Sequence, residues 1–547
     1  MIVFNKIFGY CVGCLLLLAC LSAGQVLASG DADFSAKVQG LNVKNFNAKE
    51  SAVHQLLQLD HPRTLVVAQA LLEGKLYYRK SDKQIFIVEE VDDGYRLIDP
   101  LSGAATETLS SRKIKKIGVN NKLRRLLSNG IARLSLQNPD PAVRLVSVRQ
   151  MYSRMDAASA AQLTALRETE GDTDVIDAID IGLALEGLSS DNEGQRMEAV
   201  HIVAGSLESE ARNRLQALLG KNPDGEYFEA SAEVRKAAER ALARIDGKLQ
   251  LNKFAETLFF GLSLGSVLLL AAIGLAITFG VMGVINMAHG ELIMLGAYTT
   301  YLVQQMMPNH LGASLLVAVP AAFLVAGAFG IVIERGIIRH LYGRPLETLL
   351  ATFGLSLVLQ QLVRTTISAQ NVIVSNPSWM SGSLEINAAL SLTYNRLVII
   401  IFALIVFGLL MLVLKRTSLG LQVRAVAQNR SMAKAVGIRS DWVDAMTFGL
   451  GSGIAGVAGV ALSQLTNVGP NMGQAYIIDS FMVVVFGGVG NLWGTLVGAM
   501  SLGIANKFLE PYSGAVLAKI LVLVFIILFI QKRPRGLFPQ RGRAAES

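Results

Sequence analysis

Along this chain the spacing of apolar and polar positions changes character near residue 253. Beyond that point nine apolar stretches follow one another, at 256–279, 284–303, 311–333, 348–363, 396–414, 443–465, 477–489, 493–504 and 515–530, the seventh and eighth being short. Between Glu256 and Glu334 the only Asp, Glu, Lys or Arg is Glu291, and between Asp444 and Lys507 the only one is Asp479. Long uncharged runs rich in Leu, Val, Ile, Ala and Gly are what a bilayer core demands, because a spanning helix needs about 20 apolar residues. The pattern predicts an all-α polytopic membrane domain over 254–533, with eight or nine segments, some of them discontinuous.

Ahead of it the pattern is that of a water-soluble, mainly helical domain over 29–250. Three stretches, at 138–148, 190–200 and 229–238, share an acidic or polar turn followed by a helix with an early arginine, Arg144, Arg196 and Arg235. The arginine spacings of 52 and 39 residues bracket the length of a HEAT-type helical hairpin, which predicts a short α-solenoid; an irregular helical bundle is the other reading. Between residues 75 and 101 the period drops to two, and 76–78, 84–88 and 95–98 read as a small antiparallel meander. His54, His61 and His201 lack metal-ligand spacing and the charged residues form mixed solvated faces. No catalytic role, metal, cofactor or nucleic-acid partner is expected.

The overall hydrophobic share of 52% thus averages two unlike halves. The first 28 residues read as a secretory signal, with Lys6 before an apolar run and Val26-Leu27-Ala28 as a cleavage site. A lipoprotein-type box ending at Cys20 is the alternative. All three cysteines, Cys11, Cys14 and Cys20, lie in this segment, so disulfides and thiolate sites are not expected in the mature chain. Basic residues set the expected orientation. Arg335, Arg339 and Arg344 follow the third apolar segment, and Lys415, Arg416, Arg424, Arg430, Lys434 and Arg439 follow the fifth, so both loops and the basic tail 534–547 are expected in the cytoplasm. The domain 29–250 then lies outside. Three crossings must follow the sixth segment, or a re-entrant hairpin and one crossing. The stretch containing Gly487, Gly488, Gly490, Asn491 and Gly494 suits discontinuous helices there, or plain close packing of helices through glycine.

The most informative stretch is 274–298, which sets Asn286, His289, Gly290 and Glu291 at a helix break in an otherwise uncharged region. Ionisable groups are costly there and face an interior. One reading has Asn286 and His289 lining a translocation path, with Glu291 capping the interrupted helix and orienting the imidazole; the other has the group as a structural network holding the break in shape. This stretch closely resembles the first block of the permeases of branched-chain amino-acid-type ABC importers. The stretch 417–438 is similar to that family's coupling loop, and Arg533-Pro534-Arg535-Gly536-Leu537-Phe538 resembles its usual ending. The resemblance covers 254–538 in the right order and implies an inner-membrane permease without enzymatic chemistry. Its implied partners are a second permease subunit, two cytoplasmic ATPase subunits and a periplasmic solute-binding protein, all acting at the lipid bilayer.

Within the loop, 431–436 can form a short helix bounded by Gln428, Asn429 and Gly437. Met432, Ala433 and Val436 are its expected docking face, with Arg424, Arg430 and Lys434 meeting acidic rims on an ATPase; a basic loop that only sets topology is the alternative. The Gly-Lys pairs at Gly74, Gly220 and Gly247 are followed by Leu, Asn and Leu, so none forms a phosphate-binding loop and ATP hydrolysis is expected on other chains. A long exported domain resembles the urea-transport branch of the family. Urea is the first expectation for the solute, a branched-chain amino acid or short-chain amide the second, and a passive urea channel the reading from another class.

Overall fold

The structure, a computed structural model, describes residues 31–538 other than Lys44, Asp60, Asp92 and Asp93. The expected signal segment with its three cysteines, the two aspartates between the second and third expected strands, and the tail beyond Phe538 lie outside the described residues. Contacts divide the chain into two units, Met1–Gly247 and Lys248–Ser547.

The first unit opens with α1 (31–39), α2 (Phe46–Leu57) and α3 (Thr64–Glu73), then a sheet of β1 (Leu76–Arg79), β2 (Ile85–Val91), β3 (Gly94–Ile98), β4 (Ala105–Leu109) and β5 (Ile114–Lys116). The three strands expected from alternation are β1 to β3, but the sheet has five, all antiparallel, in the order β4-β3-β2-β1-β5. The additional strands escape a pattern search because β4, ATETL, buries no side chain and β5 has only 3 residues. Helices follow as α4 (Asn121–Ser135), α5 (Pro141–Met151), α6 (Ala157–Thr169), α7 (Thr173–Gly187), α8 (Glu193–Val203) and α9 (Ser209–Leu218), and the division between the units falls within α10 (Ala232–Met282). The starts of α4 to α8 are each fixed by an Asn or Asp whose side chain accepts a first-turn N–H: Asn120, Asp140, Asp156, Asp172 and Asn192.

The three arginines singled out by the sequence occupy equivalent places. Arg144 grips Glu170 with both arms of its fork, at 2.7 and 2.6 Å, while Nη1 donates to the carbonyls of Asn138 and Pro139. Arg196 does the same with Glu229, at 2.7 and 2.9 Å, and with the carbonyls of Ser190 and Asp191. Arg235 repeats the carbonyl pair, Glu229 and Ala230, both at 2.7 Å. Each guanidinium therefore closes the turn before its own helix, and the first two also tie in a carboxylate from further along the chain. Hydrogen bonds from Arg144 hold the Glu170 carboxyl down at about 2. Burial alone would raise the Glu229 carboxyl, but the Arg196 fork and the Ser231 N–H keep it below its ordinary value.

The second unit completes α10 and adds α11 (His289–Met306), α12 (Leu311–Gly336), α13 (Pro345–Thr366), a hairpin of β6 (Ser383–Asn387) and β7 (Leu390–Thr393), α14 (Tyr394–Arg416), α15 (Ser418–Gln428), α16 (Arg430–Ala435), α17 (Ser440–Ser463), α18 (Met472–Gly487), α19 (Leu492–Ser513) and α20 (Ala515–Lys532). Each of the nine apolar stretches overlaps one of these helices, although 284–288 are non-helical and α11 begins only at His289. Among the described residues six helices, α10, α12, α13, α14, α17 and α20, are long and apolar enough to cross a membrane. The most apolar windows of α10 and α17 are 83% and 89% buried, whereas that of α20 is only 17% buried, so the first two form the centre of the bundle and α20 its rim. In an apolar surround helix pairs gain little from the hydrophobic effect and rely on close packing. The closest approaches here run through glycine: Gly296 and Gly459 set α11 against α17, and Gly451 meets Gly274 of α10, with no room for a Cβ at any of them.

The ends of the bundle differ. At one end Arg339 meets Asp441 at 3.2 Å and Lys415 and Arg424 face a cavity of about 270 Å³ shared with Asn491 and Trp493. At the other, Val372 pairs with Val468 and Arg364 donates to Asn471 at 2.6 Å. The glycine-rich turn between α18 and α19 lies at the basic end, where Gly490 and Asn491 share the cavity with Lys415 and Arg424.

Glu170→Gln removes the counter-charge of the Arg144 guanidinium, which keeps its two carbonyl bonds, and is expected to destabilise the first unit. Because the folded carboxyl titrates below the unfolded one, its contribution is complete above about pH 5 and fades as the pH falls towards 2. Amide hydrogen exchange of α5 to α7 in the full-length protein, between pH 7 and 3, measures both: the wild type loses protection with acid, and the variant starts lower and loses less.

Candidate functional site

The expected break exists, and α11 starts at His289, five residues later than the apolar stretch does. Residues 283–288 are non-helical because their own groups bond elsewhere. The Met287 N–H donates to Thr352 Oγ1 at 3.1 Å, and the Ala288 N–H to Asn286 Oδ1 at 3.0 Å. Such backbone is tolerated in an apolar surround only inside protein, and Asn286, His289 and Glu291 are all buried to within 1%. Gly290 lies flat against Gly473 of α18, so α11 and α18 touch backbone to backbone.

Glu291 does not hold the imidazole, contrary to one expectation. Its Oε1 accepts from Ser356 Oγ at 2.9 Å and from Gln360 Nε2 at 2.8 Å, both on α13. His289 Nε2 instead donates to the Ala271 carbonyl of α10 at 2.9 Å, and the helix has no side-chain cap. The cluster therefore ties α11 to α10 and α13, the arrangement of a structural network, with Asn286 Nδ2, His289 Nδ1 and Glu291 Oε2 lacking a hydrogen-bond partner among the described residues. The partners Thr352, Ser356 and Gln360 were missed in the sequence. With Thr348 they recur every four residues in an apolar stretch, a polar stripe on one face of α13 that was the available signal.

A second group joins two separate motifs. α18 ends at Gly487, and Gly488 and Gly490 take φ of 105° and 79°, a left-handed conformation that only glycine adopts freely. Asn491 caps α19 by accepting from the Trp493 and Gly494 N–H groups, while Gly487 and Gly494 abut without room for side chains. The tail Arg533–Phe538 lies on this turn: the Leu537 N–H donates to the Phe486 carbonyl at 2.9 Å, the Phe538 N–H to that of Gly487 at 3.1 Å, and Asn491 Nδ2 to that of Phe538 at 3.3 Å. These bonds fix the tail's place at the basic end.

The loop after α14 folds as two helices. Thr417 caps α15, Asn429 caps α16 by accepting from the Met432 N–H at 3.0 Å, and Gly437, at φ 89°, ends it. Met432 and Val436 are 61% and 69% exposed; Gln428 and Lys434 are exposed beside them. Ala433 faces inward, packed with Val423, Val426 and Val443, and does not belong to an outer face. Arg424 turns back to the Leu414 carbonyl and Arg430 to Asp444, so these two cations serve the protein's own framework.

Among the described residues no group of three or more His, Cys, Asp or Glu could hold a metal. A bundle of apolar helices with a buried polar break, basic loops at one end and no catalytic constellation is the construction of a multi-pass membrane permease. Residues 257–530 match the family model described as "Branched-chain amino acid transport system / permease component". The high-affinity branched-chain amino acid transport system permease protein LivH of Salmonella typhimurium is 32% identical over 297 residues, 53% of this chain and 96% of that protein. BraD of Pseudomonas aeruginosa, of the same description, is 30% identical over the same shares. The ribose import permease protein RbsC of Haemophilus influenzae is 28% identical over 135 residues, 23% of this chain and 42% of that protein. No solved structure matches. The chain belongs to the branched-chain amino acid-type family of ABC permease components; it is a transport subunit and not an enzyme.

A Glu291→Ala substitution strands two buried donors on α13 and is expected to cost about 2 kcal/mol, whereas Glu291→Gln, which keeps an acceptor, costs less. Gly290→Val has no space beside Gly473 and is expected to abolish folded protein. Yield and thermal midpoint in detergent rank the three, and an alanine variant as stable as wild type would contradict the network.

Proposed function

We propose that the chain is the permease subunit of an ABC importer that carries a small polar solute, urea, inward across the inner membrane. The observation that carries the reading is the ordered loop at the basic end, where α16 holds Met432 and Val436 out in water beside Lys434. Exposed apolar side chains on a fixed short helix suit a groove on a partner. That partner is an ATPase subunit, two of which serve this chain and a second permease subunit, with a periplasmic binding protein delivering solute. A loop that only sets topology needs neither the cap at Asn429 nor the exposed apolar pair. The passive channel is disfavoured for the same reason.

In this reading the basic end faces the cytoplasm, the nine apolar helices cross the membrane, and residues 29–250, exported behind a signal segment, form a HEAT-type solenoid that supports docking of the binding protein. The repeated arginine geometry of Arg144, Arg196 and Arg235 supports the solenoid. Asn286, His289, Gly290 and Glu291 shape the break beside the translocation path. Urea is favoured because a long domain ahead of the permease resembles the urea-transport branch of the family, and that domain lies outside the 53% of this chain matched by the relatives named for branched-chain amino acids. The second reading, a branched-chain amino acid, rests on those same relatives, whose printed names carry that solute.

Uptake of labelled urea and labelled leucine by cells with and without the gene separates the solutes. Loss of urea uptake alone is expected, also on ATP depletion; loss of leucine uptake alone would establish the second reading, and urea uptake insensitive to ATP would return the channel. Met432→Asp with Val436→Asp is expected to weaken ATPase association by about tenfold or more, on the order of 1.4 kcal/mol. Co-purification of the ATPase subunits measures it, and full retention would remove the docking surface.

A further inference from the structure

Arg430 opens α16, yet its guanidinium points into the membrane unit. It pairs with Asp444 of α17, a carboxylate 1% exposed, and stands 4.7 Å over the ring of Tyr342, in the connection between α12 and α13. Tyr342 in turn directs its hydroxyl at Glu334 Oε1, 3.4 Å away in the last turn of α12, another side chain 1% exposed. We propose that Arg430 is a positioning residue, the joint through which movement of α16 reaches the membrane helices α17 and α12. The proposal rests on the reading of α16 as the ATPase-docking helix.

First, α16 has 6 residues, too few to hold a helix in water by itself, so its place depends on what anchors it. Those anchors are the cap at Asn429, the single buried side chain Ala433, and Arg430. Only Arg430 adds a charge to the attachment, and a buried carboxylate such as Asp444 holds its cation firmly because the unpaired state is costly. Secondly, the elements behind Arg430 are stiff. α12 and α17 pack more extensively than any other helix pair, with Gly330 against Ser452 and Gly456 against Ala322 so close that no Cβ fits. A displacement of Asp444 therefore moves α17 and α12 together, and α17 also carries α11, whose first turn holds His289 and Glu291. Thirdly, the joint has room. Arg430, Tyr342, Glu334, Arg339, Lys434 and Asp441 line a cavity of about 440 Å³, in which the guanidinium can shift against the ring without repacking an apolar core. An ion pair over an aromatic face tolerates such sliding better than interlocked aliphatic side chains do.

Asp444→Asn tests the joint from the membrane side and leaves the docking helix unaltered in sequence. The complete transporter, with its ATPase subunits and binding protein, is reconstituted in vesicles, and tracer uptake and ATP hydrolysis are measured with labelled urea and labelled leucine in parallel. The expected result is that the ATPase subunits still co-purify and hydrolyse ATP at the basal rate, while solute carried per ATP falls about tenfold. Exchanging the partners, Arg430→Asp with Asp444→Arg, is expected to recover a measurable part of that loss. Unchanged solute carried per ATP in Asp444→Asn would overturn the proposal, as would loss of ATPase co-purification, which would make the pair part of docking itself. Should Asp444→Asn fail to accumulate, Tyr342→Phe, which keeps the ring but not the bond to Glu334, is read in the same assay, and unchanged solute per ATP there overturns the link to α12. Failure of the docking reading shows separately, as ATPase association insensitive to changes at Met432 and Val436.

Discussion

Backbone-to-backbone contact along α17 is the constraint on which the membrane unit depends. In hydrocarbon, two leucine-faced helices gain nothing by meeting that lipid would not also give them, so association rests on atoms brought close enough for dispersion and weak hydrogen bonds. Gly451 sets α17 against α10, Gly456 and Gly459 set it against α12 and α11, and the result is a central helix with little surface left. A Cβ at any of these positions would push away the helix that the glycine faces. The same device seats α11 on α18 and closes the turn before α19.

Close packing also decides where polar groups go. Once α10, α11, α13 and α17 lie so near one another, water is excluded between them and each polar atom must find a protein partner. Thr352 supplies one for the backbone of the break, Ser356 and Gln360 supply two for Glu291, and Ala271 supplies its carbonyl to His289. The break is thus held by tertiary bonds and not by its local sequence. This is why the apolar helices and the existence of a break are legible in the chain while the residue at which α11 starts is not: hydropathy reports composition, and residues 284–288 are apolar enough to be helical. What unwinds them is Thr352, 65 residues away from Met287.

The other mismatches have the same origin. The charge of Arg424 and Arg430 is plain in the sequence, but its direction is not, and both turn to internal partners. From sequence Ala433 reads as lying outside with Met432, because adjacent small and apolar residues look alike in a short helix; one residue's rotation, about 100°, carries it into the cluster of Val423 and Val443. The hairpin of β6 and β7 lies in a stretch with one charged residue and no clean alternation, and its residues LEI sit on the surface. The arginine signature of the first unit, by contrast, was readable despite unequal spacing, since each Arg closes a turn of fixed length, reaching carbonyls five and six residues before it.

Both units therefore use arginine where a helix start must be tied to something distant. The guanidinium is planar and presents five donors in a fork, so Arg144 can hold both oxygens of Glu170 and two carbonyls in one geometry, and Arg430 can pair with Asp444 while lying over the Tyr342 ring. A lysine in either place would reach one of these groups and leave the rest unsatisfied, because its three donors radiate from a single strongly hydrated point. The difference matters more behind α16 than in the first unit. Arg144 fixes one arrangement, with carbonyls on one side and a two-armed carboxylate grip on the other. Arg430 has its planar face on a ring and part of its edge free in a cavity, so the contact that anchors α16 is also one that can slide.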